Sequence, residues 1–380
     1  MWKSKSPICN FLPSNKSSRI ICLRKVNITS VTQNKSLEEV TTNHKKSRDI
    51  PFLFLPHTVN KPYFVHPSST SVPNIFEKYK WLTKTVSSIG LPETHSLTEE
   101  EPSSIFVREF ERSLFQTVAY QKSYANKNLR RLIPERIDGL VFNFIRLSLL
   151  EGSLKSHLKP ENSYLYHNPV VETHWPRNYK FYYSKFQPNC VLKTKNNFSI
   201  VEAPKELTRS EVDSLPGPYD TYSMNVYPRP VVHLNYRPGT DLHKYNNNRH
   251  CHTSIVFNNR LKFDDQMYTF GMFTMFAQLS AQALAEGVLH GTDLMKPLVT
   301  QCLVTNGHRV TFMLYQLNTM NMMDDKGCWN RTWYTPVENM YDSSDSLPLV
   351  FETADRGEVL KGFNKNFCKM FTNIIRKETL

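Results

Sequence analysis

The sequence predicts an α+β fold, in which helices and short antiparallel strands form one compact core with long N-terminal and internal extensions. Three observations lead to this prediction. Residues 106–118 and 137–148 place apolar side chains at helical spacing. Residues 160–260 lose that spacing and contain short alternating runs between prolines, tyrosines and asparagines. The pair Asn306-Gly307 separates two β-rich runs, which is a strong hairpin signal.

The N-terminal part is predicted to be an extension followed by a helical region. Residues 1–73 form a basic targeting segment and an extended arm, because five prolines between Asp49 and Pro73 forbid a long helix. Residues 74–158 form the helical region. Its first helix begins after Asn74, which can act as N-cap, and ends at Gly90, where Leu91-Pro92 prevents continuation.

Two amphipathic helices are predicted to follow and to pack as a pair. The first is capped by Ser103 or Ser104, and the second begins after Pro134. Their apolar faces are formed by Phe106, Phe110, Leu114 and Val118, and by Ile137, Val141, Phe144 and Leu147 or Ser148.

Residues 159–380 are predicted to be a mixed α/β region that shares one core with residues 74–158. Short strands are expected at Lys180 to Phe186 and Val231 to Tyr236. A helix capped by Asp264 or Asp265 extends to His290-Gly291, and its apolar residues on most faces predict a buried central helix. The hairpin then joins the runs 298–304 and 309–317. A terminal helix places Phe363, Phe367, Phe371 and Ile374 on one face.

The composition favours a polyanionic partner. The 380 residues contain 47 Lys plus Arg against 34 Asp plus Glu, a formal net charge of +13. Such an excess suits nucleic acid or an anionic membrane surface, because cations on phosphates release counterions. Only 12 glycines occur, which argues against nucleotide-binding folds that need glycine turns around phosphates. No apolar run is long enough to predict a membrane span.

The first 36 residues have the composition of a mitochondrial transit peptide. They contain seven basic residues and no acidic one, with serines and asparagines between short apolar runs. A basic tail without a targeting role is the alternative, since Pro7 and Pro13 interrupt helical amphipathicity. Seven widely spaced cysteines without a C-x-x-C pair indicate reduced thiols in an intracellular compartment.

No catalytic or metal-binding pattern is visible, and the expectation is that the chain is not an enzyme and carries no cofactor. Arg249-His250-Cys251-His252 looks metal-like, but adjacent ligands without a distant second pair cannot close a tetrahedral site. The pair Asp264-Asp265 is interpreted as a helix cap. His174 and His233 have no visible partner and are interpreted as structural residues.

Basic residues interleaved with aromatic ones suggest RNA contact, because cations meet phosphates while rings stack on unpaired bases. Examples are Lys78-Tyr79-Lys80-Trp81, Arg177-Asn178-Tyr179-Lys180 and Tyr227-Pro228-Arg229. The predicted RNA-contact residues are Arg19, Arg24, Lys25, Lys45, Lys46, Arg48, Lys78, Lys80, Lys84, Arg130, Arg131, Arg177 and Arg229.

Several segments resemble one family of mitochondrial ribosomal proteins. They are residues 79–85 (YKWLTKT) with 90–92 (GLP), 281–283 (AQA) with Gly287, 296–301 (KPLVTQ), 305–307 (TNG), 315–319 (YQLNT), 328–329 (CW) and 361–364 (KGFN). In this order they resemble the large-subunit family formerly counted as small-subunit protein thirty and also called programmed cell death protein nine. Their order and spacing match this family over residues 75–375. Residues 83–85 (TKT) and 316–319 (QLNT) are similar also to its sister family, large-subunit protein thirty-seven, whereas residues 328–329 and 361–364 favour the first family. The family's Asp-Gly hairpin turn is Asn-Gly here.

The resemblance implies a structural constituent of the mitochondrial large ribosomal subunit, located in the matrix and supporting mitochondrial translation. It implies ribosomal RNA and other large-subunit proteins as partners, the sister-family protein being one candidate, and no small-molecule substrate. The family brings no catalytic residues. The alternative is a free mitochondrial RNA-binding or ribosome-assembly factor. An enzyme built from scattered residues is a third class that no motif supports.

Overall fold

The computed structural model describes residues 62–67, 74–95, 101–123, 141–147, 163–204, 227–228, 239–240, 250–342 and 362–376. Its helices are α1 (Ile75–Leu82), α2 (Ser104–Ser123), α3 (Asp264–Ala285) and α4 (Lys365–Arg376). Residues 141–147 are also helical. The strands are β1 (Tyr63–Phe64), β2 (Thr85–Ile89), β3 (Ser163–His167), β4 (Val171–Arg177), β5 (Lys180–Phe186), β6 (Cys190–Thr194), β7 (Tyr227–Pro228), β8 (Gly239–Thr240), β9 (His250–Phe257), β10 (Asp293–Thr305), β11 (Arg309–Thr319), β12 (Asn330–Tyr334) and β13 (Glu338–Asn339).

The strands form two sheets, and the larger one is built around the predicted hairpin. Its strand order is β2-β12-β11-β10-β9-β6-β3, with β13 also paired to β11. The antiparallel hairpin strands β10 and β11 are 13 and 11 residues long. Strand β9 is parallel to β10, because α3 connects them, and β2 is parallel to β12. The predicted α+β class is confirmed, although the pairing is mixed rather than purely antiparallel.

Helix α3 lies between the larger sheet and a smaller one with the order β7-β1-β5-β4-β8. The ring of Trp175 on β4 lies 5.7 Å from that of Phe273 and 5.1 Å from that of Phe276. On its opposite side, α3 packs on Val304 and Met313 of the hairpin. A helix covered on both sides must be apolar all round, and the prediction of a central buried helix is confirmed.

A second core lies on the other face of the larger sheet. There α2, residues 141–147 and α4 bury a group of phenylalanines against Phe312 of β11. The rings of Phe110 and Phe144 stack 3.8 Å apart, which confirms the predicted contact between the two helices. Phe367 and Phe371 of α4 lie 5.4 and 5.5 Å from Phe110, so the terminal helix completes the same core. Its predicted face, apart from Phe363 which precedes the helix, is confirmed.

The first predicted helix was too long. Helix α1 ends at Leu82, and residues 85–89 form strand β2 instead of continuing the helix to Gly90. Lys84 takes a left-handed backbone conformation (φ 48°) that reverses the chain. The hydroxyl groups of Thr85 and Tyr315 then share a hydrogen bond of 2.7 Å. Residues 85–89 therefore pair with the sheet and do not continue the helix. Asn74 is also left-handed and makes no side-chain capping bond.

The predicted cap of α3 was wrong, although the helix is present. Phe263 is the N-cap residue, and the Gln266 side chain accepts hydrogen bonds from the backbone N–H groups of Lys262 (2.8 Å) and Phe263 (3.2 Å). Asp264 instead forms an ion pair with Arg309. The helix ends at Ala285 rather than at His290-Gly291.

Strand β5 and the hairpin turn lie where the sequence predicts them. The run Lys180 to Phe186 is β5, and the hairpin turn is present, with Gly307 at φ 95° and the Asn306 carboxamide accepting from the Arg309 N–H at 2.7 Å. Both predictions are confirmed. The run Val231 to Tyr236 lies outside the described residues.

Replacing Gly271 by valine tests the packing of α3 on the hairpin. A Cβ at this position would overlap the Val304 Cγ2 and Met313 Sδ atoms. We expect Gly271→Val to lower the free energy of unfolding by about 2–3 kcal/mol, as overpacking does in closed cores. Urea unfolding measures this change, with Ala285→Val at the exposed end of the same helix as control. Equal losses in both variants would contradict the close approach of helix and sheet.

Candidate nucleic-acid interface

Four of the predicted RNA-contact residues lie within the described part of the chain: Lys78, Lys80, Lys84 and Arg177. The others lie outside it: Arg19, Arg24, Lys25, Lys45, Lys46, Arg48, Arg130, Arg131 and Arg229.

Lys84 is fully buried and holds a loop of the protein itself. Its ammonium group donates to the backbone carbonyls of Asn321 (2.8 Å) and Lys326 (2.5 Å). The left-handed turn after α1 directs the side chain to this loop. Burial, and next the charge of Arg177, lower the pKa of Lys84 below its usual range.

Arg177, at the end of β4, is 1% exposed and fastens the same loop from the other side. Its guanidinium donates to the carbonyls of Trp81 (2.8 Å), Met322 (3.2 Å) and Asp324 (2.9 Å). It also forms an ion pair with Asp325. The planar fork of arginine suits this task, because its donors reach several acceptors at once.

The prediction that Lys84 and Arg177 contact RNA is therefore corrected. Both side chains are buried, and their donors are used on backbone carbonyls of residues 321–326. An RNA phosphate could reach them only if this loop left its place. The alternation of cations and rings in residues 177–180 was a misleading signal. Arg177 points into the core, whereas the nearby Tyr179 is 87% exposed.

Lys78 and Lys80 lie on α1 and are half-buried. The Lys80 ammonium is 2.7 Å from the Glu77 carboxylate and lies 5.4 Å from the centre of the Phe76 ring. It also donates to the Ser87 hydroxyl at 3.2 Å. RNA contact by these two residues stays a prediction.

The segments that carry the family resemblance meet at this buried site. The Asn330 carboxamide donates to the Thr83 carbonyl at 3.1 Å and accepts from the Asn318 N–H at 2.8 Å. Asn318 in turn donates to the Trp329 carbonyl at 2.8 Å. Residues 83–85, 315–319 and 328–329 therefore serve the attachment of α1 and β2 to the hairpin.

A basic surface that the sequence analysis did not single out lies at the N-terminal end of α3. Arg260 and Lys262 are exposed there, and Phe263 is 66% exposed. The segment 258–263 (NNRLKF) places two cations next to an aromatic residue, as in the segments from which RNA contact was predicted. Its position next to the Asn-Gly turn could not be known before the hairpin and helix were placed.

At the opposite end of α3, large apolar side chains are exposed among charged ones. Leu289 is exposed on the connection between α3 and β10, Met295 on the first residues of β10, and Tyr179 on the β4–β5 turn. This turn lies beside the 320–327 loop, because the Asn178 N–H donates to the Met323 carbonyl at 3.0 Å. Tyr179 takes φ 58°, a left-handed conformation that costs a residue with a Cβ about 1–2 kcal/mol.

His174, which the sequence analysis interpreted as structural, pairs with His290 below the same end. Its Nδ1 lies 2.9 Å from His290 Nε2, and the ring of Phe181 lies 5.4 Å from that of His174. Burial lowers the pKa of His174 to about 4 and that of His290 to about 3. Both imidazoles are therefore neutral in the folded protein at pH 7, and a pair with one shared hydrogen bond needs no catalytic explanation. His233 lies outside the described residues.

Two features are absent from the described ranges, a metal-binding cluster and a membrane-spanning helix. Within them no group of three or more His, Cys, Asp or Glu side chains is placed to hold a metal ion. No helix of those ranges is long and apolar enough to cross a membrane. His250 and His252 lie on β9, where His252 Nδ1 is 2.7 Å from the Thr253 hydroxyl.

Comparison with known proteins finds a matching family and a similar protein from chicken. Residues 243–378 match the family described as Mitochondrial 28S ribosomal protein S30 (PDCD9). The chain is also 24% identical over 288 residues to the chicken (Gallus gallus) protein named Large ribosomal subunit protein mL37. That alignment covers 71% of this chain and 63% of the chicken protein, so the chain spans less than two thirds of this relative. Both matches confirm the resemblance to mitochondrial ribosomal proteins that the sequence segments indicated.

Replacing Arg177 by leucine tests the buried cation site. We expect a loss of about 3–5 kcal/mol in unfolding free energy, because the variant leaves carbonyls and Asp325 without their buried partner. Arg177→Lys keeps the charge but not the fork, and should lie between wild type and Arg177→Leu. Urea unfolding and the rate of proteolysis within residues 320–327 are the measurements. Arg112→Leu, at an exposed position of α2, is the control and should change neither.

The histidine pair makes stability depend on pH. As pH falls below 6.5 the unfolded chain protonates both imidazoles, whereas the folded protein does not until about pH 4 and 3, so stability decreases on acidification. Between pH 7.5 and 5.5 the pair should lose about 2–3 kcal/mol of stability. His290→Gln should lose about half of this pH dependence. Unfolding midpoints at the two pH values measure it, and an unchanged dependence in the variant would show that other groups are responsible.

Proposed function

We propose that this chain, a relative of the mitochondrial ribosomal proteins that it matches, is a structural constituent of the mitochondrial large ribosomal subunit. The family match carries this proposal, because residues 243–378 contain the central helix, the long hairpin and α4. The chicken relative is by its name a large-subunit protein, and its alignment extends over 71% of this chain. This similarity supports the large subunit, the mitochondrial location and a role in mitochondrial translation.

The charge of the chain supports contact with ribosomal RNA. The first 50 residues contain ten basic and three acidic residues, within a chain of net charge +13. We propose these basic residues, Arg130, Arg131 and Arg229 as RNA contacts, together with the half-buried Lys78 and Lys80. We also propose that residues 1–36 direct import and that the proline-rich arm up to residue 73 extends over a neighbouring surface.

Exposed apolar side chains support contact with neighbouring proteins. Tyr179, Leu289 and Met295 lie at one end of α3. Strained residues are retained where function requires them, and a left-handed exposed tyrosine is more costly than glycine in this turn. A contact with another protein would cover these three side chains and explain why the turn carries an aromatic residue.

Sedimentation of mitochondrial lysates tests the proposed function. We expect the protein to sediment with the large subunit, to stay there in high salt and to be released by RNase, because an integral constituent is held by RNA and protein together. A variant lacking residues 1–36 is the control for targeting and should remain outside mitochondria. A peak at the top of the gradient would contradict the proposal and favour a free mitochondrial RNA-binding or assembly factor.

A further inference from the structure

The basic surface at the N-terminal end of α3 is built from two loops that are joined by hydrogen bonds. The Asn258 N–H donates to the Thr305 carbonyl at 3.1 Å, and the Asn306 side chain donates to the Leu261 carbonyl at 2.9 Å. Arg309 donates to the Lys262 carbonyl at 3.2 Å. The β9–α3 connection and the hairpin turn therefore form one unit.

The backbone of this unit is fixed on both sides of the exposed residues. Leu261 is 1% exposed and anchors the connection in the hydrophobic core that surrounds α3. The Gln266 side chain accepts from the N–H groups of Lys262 and Phe263. A loop held in this way can offer side chains to a partner without the entropy cost of ordering it on binding.

Two exposed cations, Arg260 and Lys262, precede the outward-facing ring of Phe263. Within the described residues, Arg260 and Lys262 make no salt bridge, and no aromatic ring packs against Phe263. The neighbouring Asp264 is already paired with Arg309, whereas Asp265 is exposed on the next helical position. The cations on this segment are thus available to an external anion.

The chemistry of the surface favours RNA over a protein. Phe263 is the one large exposed apolar side chain among residues 258–266, where the other exposed residues are Asn259, Arg260, Lys262 and Asp265. A protein contact of ordinary size needs a broader apolar centre. A single ring next to two cations instead matches an unpaired nucleotide, which offers a base for stacking and phosphates for the cations.

We infer that residues 258–263, supported by the 306–309 turn, bind an unpaired segment of RNA, with Phe263 stacking on a base and Arg260 and Lys262 contacting phosphates. This inference rests on the proposed function and specifies where the folded core meets ribosomal RNA. It replaces Lys84 and Arg177 by residues whose side chains are accessible.

Binding of the full-length chain to a short, fluorescently labelled, unpaired RNA tests the inference. Arg260→Ala combined with Lys262→Ala should reduce the slope of log affinity against log salt by about 1.4, since each phosphate contact contributes about 0.7 for single strands. Phe263→Leu should weaken binding roughly 5- to 150-fold, because stacking is lost, while Phe263→Tyr should bind like wild type.

Matched variants separate this surface from general charge effects. Lys195→Ala combined with Lys365→Ala removes two exposed cations elsewhere and should leave most of the slope. All substituted side chains are exposed, so unfolding midpoints should equal that of wild type. Equal slopes for the two double variants, or equal affinity of Phe263→Leu and wild type, would overturn the inference.

Sedimentation of the same variants distinguishes the possible failures. If wild type sediments with the large subunit but the substitutions leave RNA affinity unchanged, the inference is wrong while the proposed function stands. If Phe263→Tyr but not Phe263→Leu detaches from the subunit while RNA affinity is unchanged in both, the surface contacts a protein. If wild type does not sediment with the subunit, the proposed function is wrong, and the RNA measurement still decides the inference.

Discussion

The burial of α3 between two sheets is the constraint on which the rest of the fold depends. Its 22 residues contact the smaller sheet through Trp175 and the larger sheet at Gly271. A helix without a solvent-facing side has to satisfy its polar groups internally, and the hydroxyl groups of Ser280 and Thr173 meet at 2.8 Å for this reason.

The buried cations connect parts of the chain that are distant in sequence. Lys84 follows α1, Arg177 ends β4, and both bind carbonyl groups of the segment after β11. A hydrophobic residue in either position could not satisfy those carbonyls, because the loop has no strand partner there. The segments that resemble the ribosomal family have their clearest role here, in joining the first strand of the larger sheet to its central hairpin.

Local signals in the sequence predicted those elements whose structure is decided locally. The hairpin turn, the pair of phenylalanine-bearing helices and the central helix follow from glycine placement and spacing. The early end of α1 could not be predicted, because strand β2 exists only through its pairing with β12, more than 240 residues away. The burial of Lys84 and Arg177 has the same cause. Their acceptors belong to a distant loop, so composition and alternation had no information about it.

Charge that is counted along a sequence is not the charge that a folded surface presents. Lys84, Arg177, Lys193 and Arg331 are all buried. Arg331 is 3.4 Å from the Glu202 carboxylate, and Arg177 is paired with Asp325. The cations that a polyanion can touch on this core are therefore fewer than the formula suggests. A polyanion that approaches such a core experiences an oriented rather than a diffuse attraction, so that long-range attraction already selects the orientation in which the two molecules meet.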